Sequence, residues 1–206
     1  MKITVNNKRG GFTLIEMVGV LAVIAILAAL LIPKIFAAIN ESRLNNAVVS
    51  YNSVKSAAMM YFGKYGKFAG VAGDSSTNFN ATVRANWDAT VLLPEGLIEK
   101  PFLTKVGTTN YVSLVAATAA GTTMDETTDG LFALDGGTKN TAGSGQYVVE
   151  SVVKGVSSDD ARELSSLIDG PSMTAADTAS PDLKGRVKYA TPASGLTDVY
   201  IYIAHK

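Results

Sequence analysis

The chain contains no cysteine and a single histidine, His205, next to its last residue. Without cysteine there is no disulfide, so stability has to come from packing or a bound ion, and the redox compartment is left open. With one histidine, neither a Ser-His-Asp triad nor a zinc site of histidines and cysteines can be assembled. A histidine so near the end is expected to lie in solvent. Charge is also scarce: 18 basic and 18 acidic side chains cancel, and only 17% of the residues are charged. No block of like charge and no internal repeat occurs. The glycines of "DGGTKNTAGSGQ" do not follow a strand and open a helix, so they do not read as a phosphate cradle. These absences argue against an enzyme. The surplus lies in apolar residues, 47% of 206, enough for one ordinary domain plus an appendage.

One segment carries much of that surplus. Phe12 to Pro33 is a run of 22 residues in which Thr13 and Glu16 are the only polar side chains. At about 1.5 Å per residue it spans roughly 30 Å, the thickness of a bilayer core. Before it stand Lys2, Lys8 and Arg9 with no acid, which by the positive-inside rule places the N-terminus in the cytoplasm and sends the rest outward. A secretory signal peptide has a shorter apolar region and an A-x-A-like cleavage site. Glu16 stands out, because a carboxylate in hydrocarbon costs about 2.5–3.5 kcal/mol and calls for a partner. No base shares its helical face. Cleavage between Gly11 and Phe12 would create an α-amino group four residues before it, able to meet the carboxylate of a neighbouring copy.

The stretch "KRGGFTLIEM", followed by a long apolar helix, resembles the class III signal of type IV pilins, type II secretion pseudopilins and competence pilins. The resemblance covers roughly the first 65 residues. It implies a prepilin leader at 1–11, cut after Gly11 by an inner-membrane prepilin peptidase that then methylates Phe12. It also implies that Glu16 neutralises the N-terminus of an adjacent subunit, that Gly19 lets helices approach, and that Pro33 bends the helix. The implied fold is α+β and type IV pilin-like, with a long N-terminal helix packed on a small antiparallel β-sheet head. The implied partners are copies of the chain and related pilins in a helical filament, the inner-membrane assembly platform, and membrane lipid before assembly.

The residues beyond the span fit this outline. Leu44, Ala47, Val48, Tyr51, Val54, Ala58, Tyr61, Phe62 and Tyr65 recur at spacings of three and four, one apolar stripe of a helix. Asn40, Glu41, Arg43, Asn45, Asn46, Asn52 and Lys55 mark its wet face. The span at 12–33 therefore continues as an amphipathic helix over 34–66, ending near Gly63 and Gly66, and 67–206 forms the head. Within the head, 69–85 reads as a surface loop, Trp87 to Leu93 as a short helix, and 171–185 as a polar loop. Strands are predicted at 110–117, 131–134, 146–154, 186–190 and 198–204. A helix is predicted after Ser157 or Ser158, with Ala161, Leu164 and Ile168 on one face and Gly170-Pro171 as its stop.

The stretch "MDETTDGLFALDGG" places Asp125, Thr127, Asp129 and Gly130 at positions one, three, five and six of a calcium-loop spacing, with the carbonyl of Leu131 at seven. Gly136 stands where the bidentate glutamate belongs, beside Asp135. Calcium held by Asp125, Asp129 and Asp135 competes here with a solvated acidic turn. The sequon Asn80-Ala81-Thr82 is of the kind that arises by chance. Without the leader, 15 basic side chains face 18 acidic ones, so nucleic acid is not an expected partner. Three roles remain open: a pilus shaft subunit, a pseudopilin of a short periplasmic pseudopilus, and a minor or tip pilin acting as adhesin or DNA-capture module. Each implies a single-pass inner-membrane precursor that moves into a periplasmic or cell-surface filament.

Overall fold

The computed structural model describes residues 11–68, 85–126, 129–141 and 147–206. The leader residues 1–10, most of the loop expected at 69–85 with its sequon, Thr127 of the acidic stretch and Gln146 of an expected strand lie outside the described residues. The chain divides into two compact units, Met1–Glu41 and Ser42–Lys206.

A helix, α1 (Leu14–Tyr65), begins in the first unit and runs on into the second. Its first half is built mainly from Leu, Ile, Ala, Val and Met, and the large apolar side chains there are exposed, from Leu14 at 82% to Ile39 at 52%. By length and composition α1 is able to cross a membrane, and none of its most apolar stretch is buried within the protein. Pro33 lies inside it and has no N–H to give the Ala29 carbonyl, yet the helix continues past that point.

In the second unit α1 buries Leu44, Ala47, Tyr51, Val54, Ala57, Ala58 and Tyr61; of the expected stripe Val48, Phe62 and Tyr65 are half-buried, and Ala57 joins it. The helix stops where Gly66 turns to φ +69° and its N–H bonds back to the Phe62 carbonyl at 2.7 Å. This left-handed closing turn is one a side chain would strain. Four antiparallel strands follow, β1 (Thr109–Ala116), β2 (Tyr147–Ser157), β3 (Val187–Tyr189) and β4 (Leu196–His205), in spatial order β1-β2-β4-β3. On one face Val112, Leu114, Val149, Val153, Val199 and Ile201 share a core with the α1 stripe. Trp87 closes that core, edge-on to Tyr61 and Phe68. Between β2 and β3, α2 (Ser158–Asp169) starts on a Ser157 hydroxyl that accepts from the Asp160 N–H, and its Ala161 and Leu164 are buried, as expected.

Two local expectations fail. Residues 131–133 are buried and Leu134 is half-buried, but they form no strand. Their backbone is satisfied by a loop: the Phe132 N–H donates to Asn140 Oδ1 at 3.2 Å, and the Phe132 carbonyl accepts from Thr141 at 3.1 Å. Hydrophobicity fixed their burial, while the turn at Gly130 kept them off the ladder. Around Trp87 the helix is a π-helical turn, Asp88–Leu92, with Leu93 N–H bonded to the Asp88 carbonyl five residues back. The wider turn accompanies a tertiary contact, since the buried Asp88 carboxylate accepts the N–H groups of Phe102 at 2.6 Å and of Val112, in β1, at 3.2 Å.

The sheet's other face is covered by the segment after β1. Phe132, Ala117 and Leu134 pack there on Val115, Val148, Tyr200 and Tyr202. His205 is half-buried against this cluster rather than free in solvent, its Nδ1 bonded to the Tyr202 hydroxyl.

Candidate processing and assembly site

The start of α1 is organised by two side chains that the sequence places three residues apart. Thr13 precedes the first helical residue, and its backbone N–H and hydroxyl both donate to Glu16 Oε2, at 2.8 and 2.7 Å. In return the Glu16 N–H donates to Thr13 Oγ1 at 3.3 Å. This is a reciprocal capping box, which satisfies donors that the first turn of any helix leaves without partners. The pattern T-x-x-E before an apolar run is legible in the sequence, beside the expectation of an outside partner for the Glu16 charge. The structure gives it a local one. Both contacts fall on Oε2, and Oε1 has no hydrogen-bond partner among the described residues.

Gly11 and Phe12 are exposed and lie ahead of the helix, so the bond between them is not protected by helical hydrogen bonding. A Cβ built on Gly11 would meet nothing within 4 Å, so any demand for glycine there does not come from this fold. Phe12, Glu16, Gly19, Val20, Val23 and Ile24 line one shallow groove on α1. Gly19 opens that groove, since nothing lies within 4 Å of where its Cβ would be. A second helix backbone could approach closely there, which is what a small residue in an apolar helix permits. Pro33 lies two turns beyond Ile24, outside the groove.

The candidate metal residues are not gathered. Asp125, Asp129 and Asp135 are all exposed. Asp135 Oδ1 accepts the Gly137 N–H at 2.9 Å, a local turn contact. Among the described residues no group of three or more His, Asp or Glu side chains is placed to hold a metal ion.

A long N-terminal helix with a small four-stranded antiparallel sheet is an α+β arrangement consistent with the type IV pilin fold. Residues 6–32 match the prokaryotic N-terminal methylation motif, the prepilin-type signal of type IV pilins and pseudopilins. The match takes in Gly11, Phe12, Glu16 and Gly19 and ends one residue before Pro33. No curated protein and no solved structure matches the chain.

Proposed function

We propose that the chain is a prepilin, the precursor of a structural subunit in a type IV pilus-like filament. Prepilin peptidase cuts it after Gly11 and methylates Phe12. The mature chain then waits in the inner membrane, with its N-terminus cytoplasmic and its head outside, until the assembly platform packs its helix against copies of itself or related pilins. The observation that carries this reading is the exposed apolar half of α1, which opens on the methylation motif and carries one carboxylate at its start. A face of that length and apolarity is unstable in water and finds cover in lipid or in other helices. Glu16 then serves twice. In the single chain Oε2 caps its own helix; in the filament Oε1 remains to accept the Phe12 amine of a neighbour. A shaft role is favoured over a tip role, because a subunit at a tip has no neighbour to occupy that second oxygen.

Two substitutions separate the two duties. Glu16→Gln keeps a side chain able to close a capping box but removes the charge, whereas Glu16→Leu removes both. Both variants should insert and be cleaved, since each lowers the cost of the membrane span. Filament yield should fall for both, because a buried amine left without its counter-charge costs roughly 3–5 kcal/mol. The measurement is sheared-filament yield beside membrane-fraction monomer. Wild-type yield from Glu16→Gln would leave helix capping as the only role of Glu16 and remove the assembly contact from the account.

A further inference from the structure

Alongside the head half of α1 runs a groove that the fold leaves open. One wall is the helix itself, through Asn46, Val49, Ser50 and Ser53, and the other is an irregular strap at 97–103. The strap is held at two points. The Leu97 N–H donates to the Leu92 carbonyl at 3.0 Å, and the Phe102 N–H donates to the buried Asp88 carboxylate at 2.6 Å while the Phe102 ring joins the core. The space between helix and strap is about 510 Å³, the size of a binding cleft. Because its walls are anchored in the core, the groove is preformed, and an occupant would not have to order it.

The rim of this groove is apolar and exposed. Val49 on the helix is 66% exposed and Leu103 on the strap 69%, the two highest values among the large apolar side chains described in the second unit. The helix wall has no charged side chain, so it suits an uncharged, apolar occupant. The chain carries such a surface itself. From Leu14 to Ile39 the large apolar side chains of α1 are exposed, and no residue between Glu16 and Lys34 is charged. We propose that the groove between α1 and 97–103 receives the apolar half of α1 from a second copy of the chain. The inference rests on the filament reading above and adds that the head takes part in covering its neighbour's helix. Groove and helix are different surfaces of one chain, so the contact is heterologous, and repetition of such a contact builds an open filament when the rotation does not close.

The test exploits the absence of native cysteine. The full chain is expressed with prepilin peptidase in a cell that assembles such filaments, carrying Leu103→Cys and a second cysteine placed in turn at each position from Val20 to Ile39. Sheared filaments are oxidised and separated without reductant. At one or more positions the pair should give a ladder of covalent multimers, and Leu103→Cys alone should stay monomeric. In a separate arm, Val49→Glu combined with Leu103→Glu should lose filaments. The same variant should keep its membrane-fraction monomer and its melting temperature, read by the fluorescence of Trp87, the single tryptophan and a buried reporter of the head core, because both substituted side chains lie in solvent. Filaments that give no ladder at any position overturn the inference and leave the filament reading standing, as does wild-type filament yield from the double glutamate variant. A covalent dimer from Leu103→Cys alone would seat a second head on the groove and overturn it as well. Failure of the parent chain to form any filament would remove the filament reading and this inference with it.

Discussion

Glu150→Gln should flatten the pH dependence of head stability between pH 4.5 and about 7. Burial is the largest influence on this carboxyl and the Asp129 charge adds to it, and together they push its pKa from 4.5 up to about 7. The Gly130 N–H, Lys188 and the Ser113 hydroxyl pull the other way and do not win. A carboxyl whose pKa rises on folding binds its proton more tightly in the native state. Its contribution is therefore fully present below pH 4.5 and is lost as pH climbs through about 7. At roughly 1.4 kcal/mol per pH unit, the loss across that window is about 3 kcal/mol. Glutamine keeps the size of the side chain and an oxygen for the Gly130 N–H but has no proton to lose. Other groups titrate as well: Asp182 is raised by burial in the same sense, and Lys188 is lowered by burial. Both remain in the variant, and Lys188 also feels the Glu150 charge, so the difference between the two stability curves reports Glu150 together with its effect on the lysine. Denaturant unfolding followed by Trp87 fluorescence across this range supplies the curves. Wild type should gain on the variant as pH falls, by about 3 kcal/mol over the window. Curves that stay parallel would refute the argument that an ionised Glu150 is costly in this face of the head.

Asp88→Ala should destabilise the head by about 2–6 kcal/mol, because two buried N–H groups, of Phe102 and Val112, lose their acceptor and each unsatisfied donor costs about 1–3 kcal/mol. Thermal melting reads this, and a change below about 0.5 kcal/mol, the range of ordinary surface substitutions, would mean that water replaces the carboxylate. Gly11→Val should fold and insert normally, since nothing crowds that position. It should nonetheless retain the leader in cells that carry prepilin peptidase, and a cleaved Gly11→Val chain would sink the assignment of the processing bond.

How much of this was legible in the sequence varied with the range of the interaction. Periodicity marked α1 and its buried stripe, because a 3.6-residue repeat is written locally. The strands at β1, β2, β3 and β4 were found from their β-branched and aromatic content. Residues 131–134 carry the same composition and were misread. What decides between strand and buried loop there is an asparagine side chain at 140 and a turn at Gly130, neither of which alters the apolar pattern. The capping box of Thr13 and Glu16 is written locally as T-x-x-E, but the same glutamate in an apolar span also carries a membrane cost that points to a distant partner. Asp88, Glu150 and Lys188 were beyond local reading. Their importance arises only when chain 14 to 63 residues away closes over them, and a buried charge looks no different in sequence from a solvated one. The same holds for 171–185, polar by composition. Asp182 there is buried and accepts from the Ser165 hydroxyl and the Ala175 N–H.

The mass of the mature N-terminal peptide, from the chain expressed with prepilin peptidase in a cell that assembles such filaments, tests the central claim most directly. The expected peptide begins at Phe12, lacks residues 1–11, and carries one methyl group on its α-amine. A chain that keeps Met1 or Lys2, or that is cut anywhere other than between Gly11 and Phe12, would contradict the reading of this protein as a prepilin.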